Sequence, residues 1–358
     1  MNAMADRAER EVRMGRLHAF GAAVLFGAGT PLSKLLLPRV SPLMLAALLY
    51  LGAAGLIATF RALAIFRGRQ SSETGIRSSD VPALCAVVAF GGVLGPTLML
   101  IGLSRISALT GSLLLNLEAV FTIAIAVAIF REHLDPGSTI ACAVIIAGAG
   151  LLSYQPGVMT ATFAGALAIV AACLCWAIDN NLSQRLSLRD PLAIVQVKTT
   201  GAGLTSMALA LATGHALPVP AVLAGALALG CVSYGASLVM AMLALRYLGA
   251  ARQIAWFSTA PFIGAALSIP IFGVLPSLFE TLGTAFMMAG IFLLVRERHS
   301  HVHTHQPLEH EHSHTHDEHH RHTHEEAVIE PHSHQHRHEP VTHAHPHASD
   351  LHHRHPHA

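Results

Sequence analysis

The chain is poor in charge. Of its 358 residues only 12% are Asp, Glu, Lys or Arg, about half the ~25% usual for a soluble domain. Its five cysteines, Cys85, Cys142, Cys173, Cys175 and Cys231, all sit inside apolar stretches, so neither a disulfide framework nor a zinc-ribbon spacing is present. Cys173 and Cys175 are two apart, on different sides of a helix, which argues against a metal pair. No phosphate-binding loop, dinucleotide fingerprint or nucleophile motif occurs, so no enzymatic activity and no ATP-driven cycle are read from the sequence. The formal charge of +1 and the scattering of arginines over short segments exclude a nucleic-acid partner.

What the chain has instead is apolar length, 53% of its residues. A bilayer core needs roughly 20 apolar residues of helix, and segments of that kind recur from residue 17 to residue 295. Ten spans are predicted: 17–37, 42–66, 80–103, 107–130, 137–154, 161–183, 191–213, 219–245, 250–272 and 277–295. Turn residues separate them, as at Ser41-Pro42, Asp135-Pro136-Gly137, Asp190-Pro191 and Pro218-Val219-Pro220. The first span follows Arg7, Arg10, Arg13 and Arg16 but is long and lacks a small-residue cleavage site, so it reads as a retained helix. The fold class is all-α integral membrane, because backbone groups in lipid must be bonded within their own segment.

Positive charge is lopsided across alternate connections. With the N-terminus inside, the inner set is Arg7, Arg10, Arg13, Arg16, Arg61, Arg67, Arg69, Arg77, Arg131, Arg185, Arg189, Arg246, Arg252, Arg296 and Arg298. The outer set is Lys34, Arg39 and Arg105. Both termini are therefore expected in the cytoplasm of a multi-pass protein of the cell (plasma or inner) membrane.

The chain also repeats itself. Residues 17–154 match 161–295 at an offset of 141 to 150, aligning Phe26-Gly27 through Leu32-Ser33 with Trp176-Ala177 through Leu182-Ser183, Arg105 with Arg246, and Ala147-Gly148 with Ala289-Gly290. Each half has five spans, so the second enters the membrane from the opposite side, as inverted repeats of secondary transporters do around a midplane site. The expected organisation is a cytoplasmic segment 1–16, a first repeat 17–154, a linker 155–160, a second repeat 161–295 and a cytoplasmic tail 296–358.

Three stretches carry a resemblance to a known family. Leu103-Ser104-Arg105-Ile106-Ser107-Ala108 with Asn116-Leu117-Glu118-Ala119-Val120-Phe121, Phe130-Arg131-Glu132-His133-Leu134, and Ala244-Leu245-Arg246-Tyr247-Leu248-Gly249-Ala250 with Ser258-Thr259-Ala260-Pro261 resemble the ten-helix EamA-type members of the drug/metabolite transporter superfamily. The likeness spans about residues 17 to 295. It implies two inverted five-helix repeats and export of small organic metabolites such as amino acids. Ala119 stands where the family usually has proline, and Gly273-Val274-Leu275-Pro276 replaces the second acidic loop, so helix bending is expected to differ there.

Ionisable groups in the spans are the candidate transport residues, since a charge at the bilayer centre costs at least about 2.5–3.5 kcal/mol and so faces a cavity or a partner. Glu118, midway along the fourth span, reads either as an amine ligand and exchangeable carboxyl or as a carboxyl bonded within the bundle. Asp179 and Lys198 lie roughly 6 and 10 Å from the inner ends of neighbouring helices and are placed to pair, as a fixed ion pair or as a gate. Asn180 and Asn181 add amides in need of partners. Trp176 and Trp256 sit away from the membrane surface and are candidates to wall the site, with Asn116, Tyr234 and Gln253 as sources of orienting hydrogen bonds. For these last residues, packing between helices is the competing reading.

The tail is a second kind of object. It holds all of the 26 histidines except His18, His133 and His215, alternating with polar residues as in His301, His303 and His305 or His310, His312, His314 and His316. Too little apolar surface is present to offset ordering, so a disordered segment is expected. Imidazole at this density suits zinc, nickel or cobalt. No cofactor is required by this reading. The expected partners are the bilayer, a small-molecule solute, transition-metal ions at the tail and, as a homodimer, a second copy of the chain. Besides a metabolite exporter, two alternatives stand: a nickel, cobalt or zinc exporter fed by the tail, and a membrane-anchored metal store or sensor. Against the first, no span carries a histidine near its centre.

Overall fold

The computed structural model describes residues 2–68, 74–130, 136–154, 160–183, 186, 189–248, 250–296, 299–304, 308–314, 332–338 and 342–347. Up to residue 296 regular structure is helical. In order these helices are α1 (Asn2–Leu36), α2 (Pro42–Phe66), α3 (Val81–Val87), α4 (Gly95–Arg105), α5 (Ala108–Leu114), α6 (Leu117–Phe130), α7 (Pro136–Ser153), α8 (Thr160–Ser183), α9 (Pro191–Ala212), α10 (Pro220–Leu229), α11 (Ser237–Leu248), α12 (Ala250–Phe257), α13 (Ala260–Phe272) and α14 (Leu278–Arg296).

Four of the ten predicted crossings are composite. The third joins α3 and α4 through a π-helical turn, Val88–Leu94, and the eighth joins α10 and α11 through another, Gly230–Ala236. The fourth is broken between α5 and α6 at residues 115–116, and the ninth between α12 and α13 at residues 258–259. The missing proline at Ala119 does not keep the fourth crossing straight. Both breaks are bridged by tighter i→i+3 bonds, Asn116 N to Leu113 O (3.1 Å) and Thr259 N to Trp256 O (3.1 Å).

Among the described residues nine helical segments are long and apolar enough to cross a membrane. The predicted span 191–213 is the exception. Its helix α9 has 22 residues but carries Gln196, Lys198, Thr199, Thr200, Thr205 and Ser206, because much of it lies against α2 and the third crossing inside the bundle. The perimeter is apolar: Phe20, Ile129, Phe163, Leu204 and Phe292 are all exposed, as lipid-facing side chains are.

Local chemistry sets the helix starts. Ser41 caps α2 and Asp190 caps α9, each followed by proline in the first turn. The Asp190 carboxylate accepts from the backbone N–H groups of Leu192 (2.9 Å) and Ala193 (3.2 Å). These two helices, related by the sequence repeat, pack on each other. The other pairings come in matched sets: α1 lies along α11 and α8 along α4, α1 along α13 and α8 along α6, and α7 along α14. Exchanging the halves maps each pairing onto its mate.

Close approach needs glycine at two of these crossings. A Cβ on Gly264 would lie 2.7 Å from the Gly27 carbonyl oxygen and 2.9 Å from Ser112 Oγ. At α7/α14, a Cβ on Gly148 would meet the Gly283 carbonyl at 3.0 Å, and one on Gly283 would meet that of Gly148 at 3.0 Å.

In the tail, residues 299–304 pair antiparallel with 342–347, and 308–314 with 332–338. Alternation of histidine with polar residues has the period of a strand, and the register sets histidine opposite histidine, as in His301 with His345 and His312 with His334.

Candidate functional site

The polar residues of the bundle gather where the composite crossings change character. The π-helical turn in the third crossing leaves the Gly91 carbonyl outside the regular helical ladder, and two side chains from different helices donate to it: Tyr50 Oη (3.0 Å) and Trp176 Nε1 (3.0 Å). Gly91 has no room for a side chain, since a Cβ there would run into the Asp179 carboxylate. Asp179, whose side chain is 5% exposed, is paired with Lys198 of α9, at 22%. It also accepts from Ser183 Oγ at 3.2 Å.

Glu118 sits in the first turn of α6, directly after the break, where the helix N-terminus favours negative charge. Its Oε1 accepts from Asn180 Nδ2 at 2.7 Å. Glu118 is half-buried and Asn180 is exposed. Tyr50 and Glu118 both lie within electrostatic reach of Asp179, and Glu118 within reach of Lys198. Lys198 pairs with Asp179, and among the described residues Glu118 has no salt bridge of its own. Two buried acceptors, Asn181 Oδ1 on α8 and Gln196 Oε1 on α9, have no hydrogen-bond partner among the described residues.

Aromatic rings complete one side. Tyr50 and Tyr234 lie 5.7 Å apart between centroids, Phe26 and Tyr234 5.8 Å, and Phe26 and Phe257 5.0 Å. Tyr234 belongs to the second π-helical turn, so both turns contribute to the same place.

Of the residues singled out in the sequence, Glu118, Asp179, Asn180, Lys198 and Trp176 thus come together, with Tyr234 close by. Asn116 and Trp256 do not join them. The Asn116 side chain is buried and donates to Leu113 O (2.9 Å) and towards Met287 Sδ (3.8 Å), tying the helix break to α14. Trp256 packs edge-on against Phe20, 6.0 Å away, beside Ala19, Ala244 and Leu248. Of the tail histidines, His301, His303, His310, His312 and His314 are on strands, while His305 and His316 lie outside the described residues. Tyr50, Gly91, Phe26 and Phe257 were not singled out. The signal for Gly91 was present, because Gly91-Gly92 and Gly95-Pro96 interrupt the third crossing where Gly230 and Gly235 interrupt the eighth.

Paired crossings that exchange under the repeat, and discontinuous helices converging on a polar cluster, are the architecture of a membrane transporter. Comparison with known proteins agrees. The model of the EamA-like transporter family matches residues 13–154 and again 163–296. The chain belongs to this family, within the drug/metabolite transporter superfamily. It is 28% identical over 294 residues, 78% of this chain and 85% of the other, to a protein of Methanothermobacter thermautotrophicus (strain ATCC 29096 / DSM 1053 / JCM 10044 / NBRC 100330 / Delta H) described as an uncharacterized transporter. A solved crystal structure shares its fold at a TM-score of 0.56 and 17% identity, covering 78% of this chain and 96% of that one.

Proposed function

We propose that the protein is a gradient-driven secondary transporter that exports small amine-bearing organic metabolites, amino acids among them, across the cell membrane, with both termini in the cytoplasm. The observation that carries this reading is the Glu118 carboxylate at the break of the fourth crossing, held by Asn180 and, among the described residues, in no salt bridge, beside a self-neutralised Asp179–Lys198 pair. The aromatic rings supply faces for an ammonium group or an apolar side chain. With no solute bound, Glu118 takes a proton on the return half of the cycle.

The test is counterflow of radiolabelled amino acids and of amine-free carboxylic acids in proteoliposomes. Transport of amines that is lost in Glu118→Gln supports the reading. Equal transport of amine-free solutes, or an unaffected Glu118→Gln, overturns it.

The tail supports a second role, binding of nickel, zinc or cobalt by interleaved imidazoles. Calorimetric titration of the full chain and of a chain ending at Arg298 with each metal tests it. Equal binding by the two would remove the tail from the metal chemistry.

A further inference from the structure

Among the described residues, the two broken crossings pack closely on each other at one end of the bundle. On the face opposite the termini, α5 packs against α13, and α1 against both. The inner halves of the same two broken crossings part company: α6 lies along α8 while α12 lies beside α11 and α1. Asn180, exposed, stands on this termini side. The Asp80–Arg189 ion pair on the same side (2.7 Å) fastens the foot of the third crossing to that of α9 and does not bridge α6 to α12.

Two charged side chains hold the closed end, and both grip the corner between α4 and α5. Lys34, at the end of α1, donates to the carbonyls of Leu103 (2.6 Å) and Ile106 (2.5 Å). These are carbonyls at the C-terminal end of α4, where a cation is favoured. Glu280, in the first turn of α14, accepts from Thr110 Oγ1 (2.8 Å) and Ser107 Oγ (3.3 Å) through Oε1, and from the Ser277 N–H (2.9 Å) through Oε2. One corner of the first repeat is thereby fastened to α1 on one side and to the second repeat on the other.

The sequence repeat shows that this fastening is one-sided. Carried across by the repeat offset, Lys34, Ser107 and Glu280 correspond to Gln184, Leu248 and Ser138. The positions that would close the termini face in the exchanged conformation therefore carry neither the cation nor the carboxylate.

We propose that Lys34 and Glu280 are a latch for the face opposite the termini, positioning residues that set the balance between the two access states without touching the solute. The latch is made when the site opens to the termini side and is released when the bundle exchanges. Its absence from the equivalent positions weights the resting protein toward the state seen here. This inference rests on the transporter architecture alone and is independent of which solute is carried.

Hydrogen–deuterium exchange of the full chain in nanodiscs reads it out. In Glu280→Gln, and independently in the donor-side variant Ser107→Ala/Thr110→Val, residues 106–114 and 260–272 are expected to exchange about ten-fold faster, corresponding to about 1.4 kcal/mol of local opening. Residues 117–130 and 250–257 become slower as the opposite side closes, and Lys34→Met gives the same reciprocal pattern. Uniform acceleration over the whole chain, or no change at 106–114 in the donor-side variant, overturns the proposal. A failed amine-specificity test in counterflow leaves this pattern untouched, so the two proposals fail separately.

Discussion

Tyr50 and Trp176, from helices far apart in the chain, donate to the same acceptor, the carbonyl oxygen of Gly91, each at 3.0 Å. A π-helical turn costs regular ladder bonds. Here the displaced carbonyl is satisfied by a phenol and an indole, which also form part of the wall beside Glu118.

Because either donor alone still pairs the carbonyl, Tyr50→Phe and Trp176→Phe are each expected to cost about 1 kcal/mol. The double variant leaves the buried carbonyl with neither donor and should cost more than the sum, by roughly 1 kcal/mol or more. Denaturant titrations in detergent of the two single variants and the double variant measure the coupling.

Removing one member of the Asp179–Lys198 pair strands the other. Asp179→Asn or Lys198→Met is expected to destabilise by about 3 kcal/mol, the lower end for a broken buried pair because Lys198 stays 22% exposed. The double variant Asp179→Asn/Lys198→Met should recover most of that loss. Thermal unfolding of the purified variants checks the recovery, and a double variant as unstable as the singles would refute the pairing as the cause.

Gly264 tolerates no side chain where α13 crosses α1. Gly264→Ala is expected to cost about 1–3 kcal/mol through overpacking against the Gly27 carbonyl and Ser112. Gly150, where an added Cβ would meet nothing within 4 Å, is the control, and Gly150→Ala should melt within a degree or two of the parent, a shift of a few tenths of a kcal/mol.

Ending the chain at Arg298 should leave the melting temperature of the helical part unchanged while abolishing retention on a nickel-loaded resin. A large fall in melting temperature would mean that the tail braces the bundle.

Much of the membrane part was legible in the sequence, because the signals were long: runs of apolar residues, proline and glycine at their ends, and the same order of motifs twice. Glu118, Asp179 and Lys198 could be picked out by type, since charge in an apolar span is costly whatever the tertiary structure. Gly91 left its mark in Gly91-Gly92 and Gly95-Pro96, whereas Tyr50 was harder, because a lone tyrosine looks like any core aromatic. Asn116 follows the packing reading for a local reason. An amide beside a helix break can satisfy the break itself, and it does so with Leu113 O. Polar α9 failed the hydropathy criterion that marks the other spans because it is shielded by its neighbours and shares the polar cluster.

The interruptions at residues 115–116 and 258–259 have a bearing on the energetic barrier to exchange. Severing an intact helix in hydrocarbon strands peptide groups at several kcal/mol apiece. This chain enters the bilayer with that severance already made and its loose groups already tied off by short bonds. The half-helices on either side can swing as rigid levers about fixed hinges, and conversion between access states proceeds without sacrificing a backbone bond to lipid.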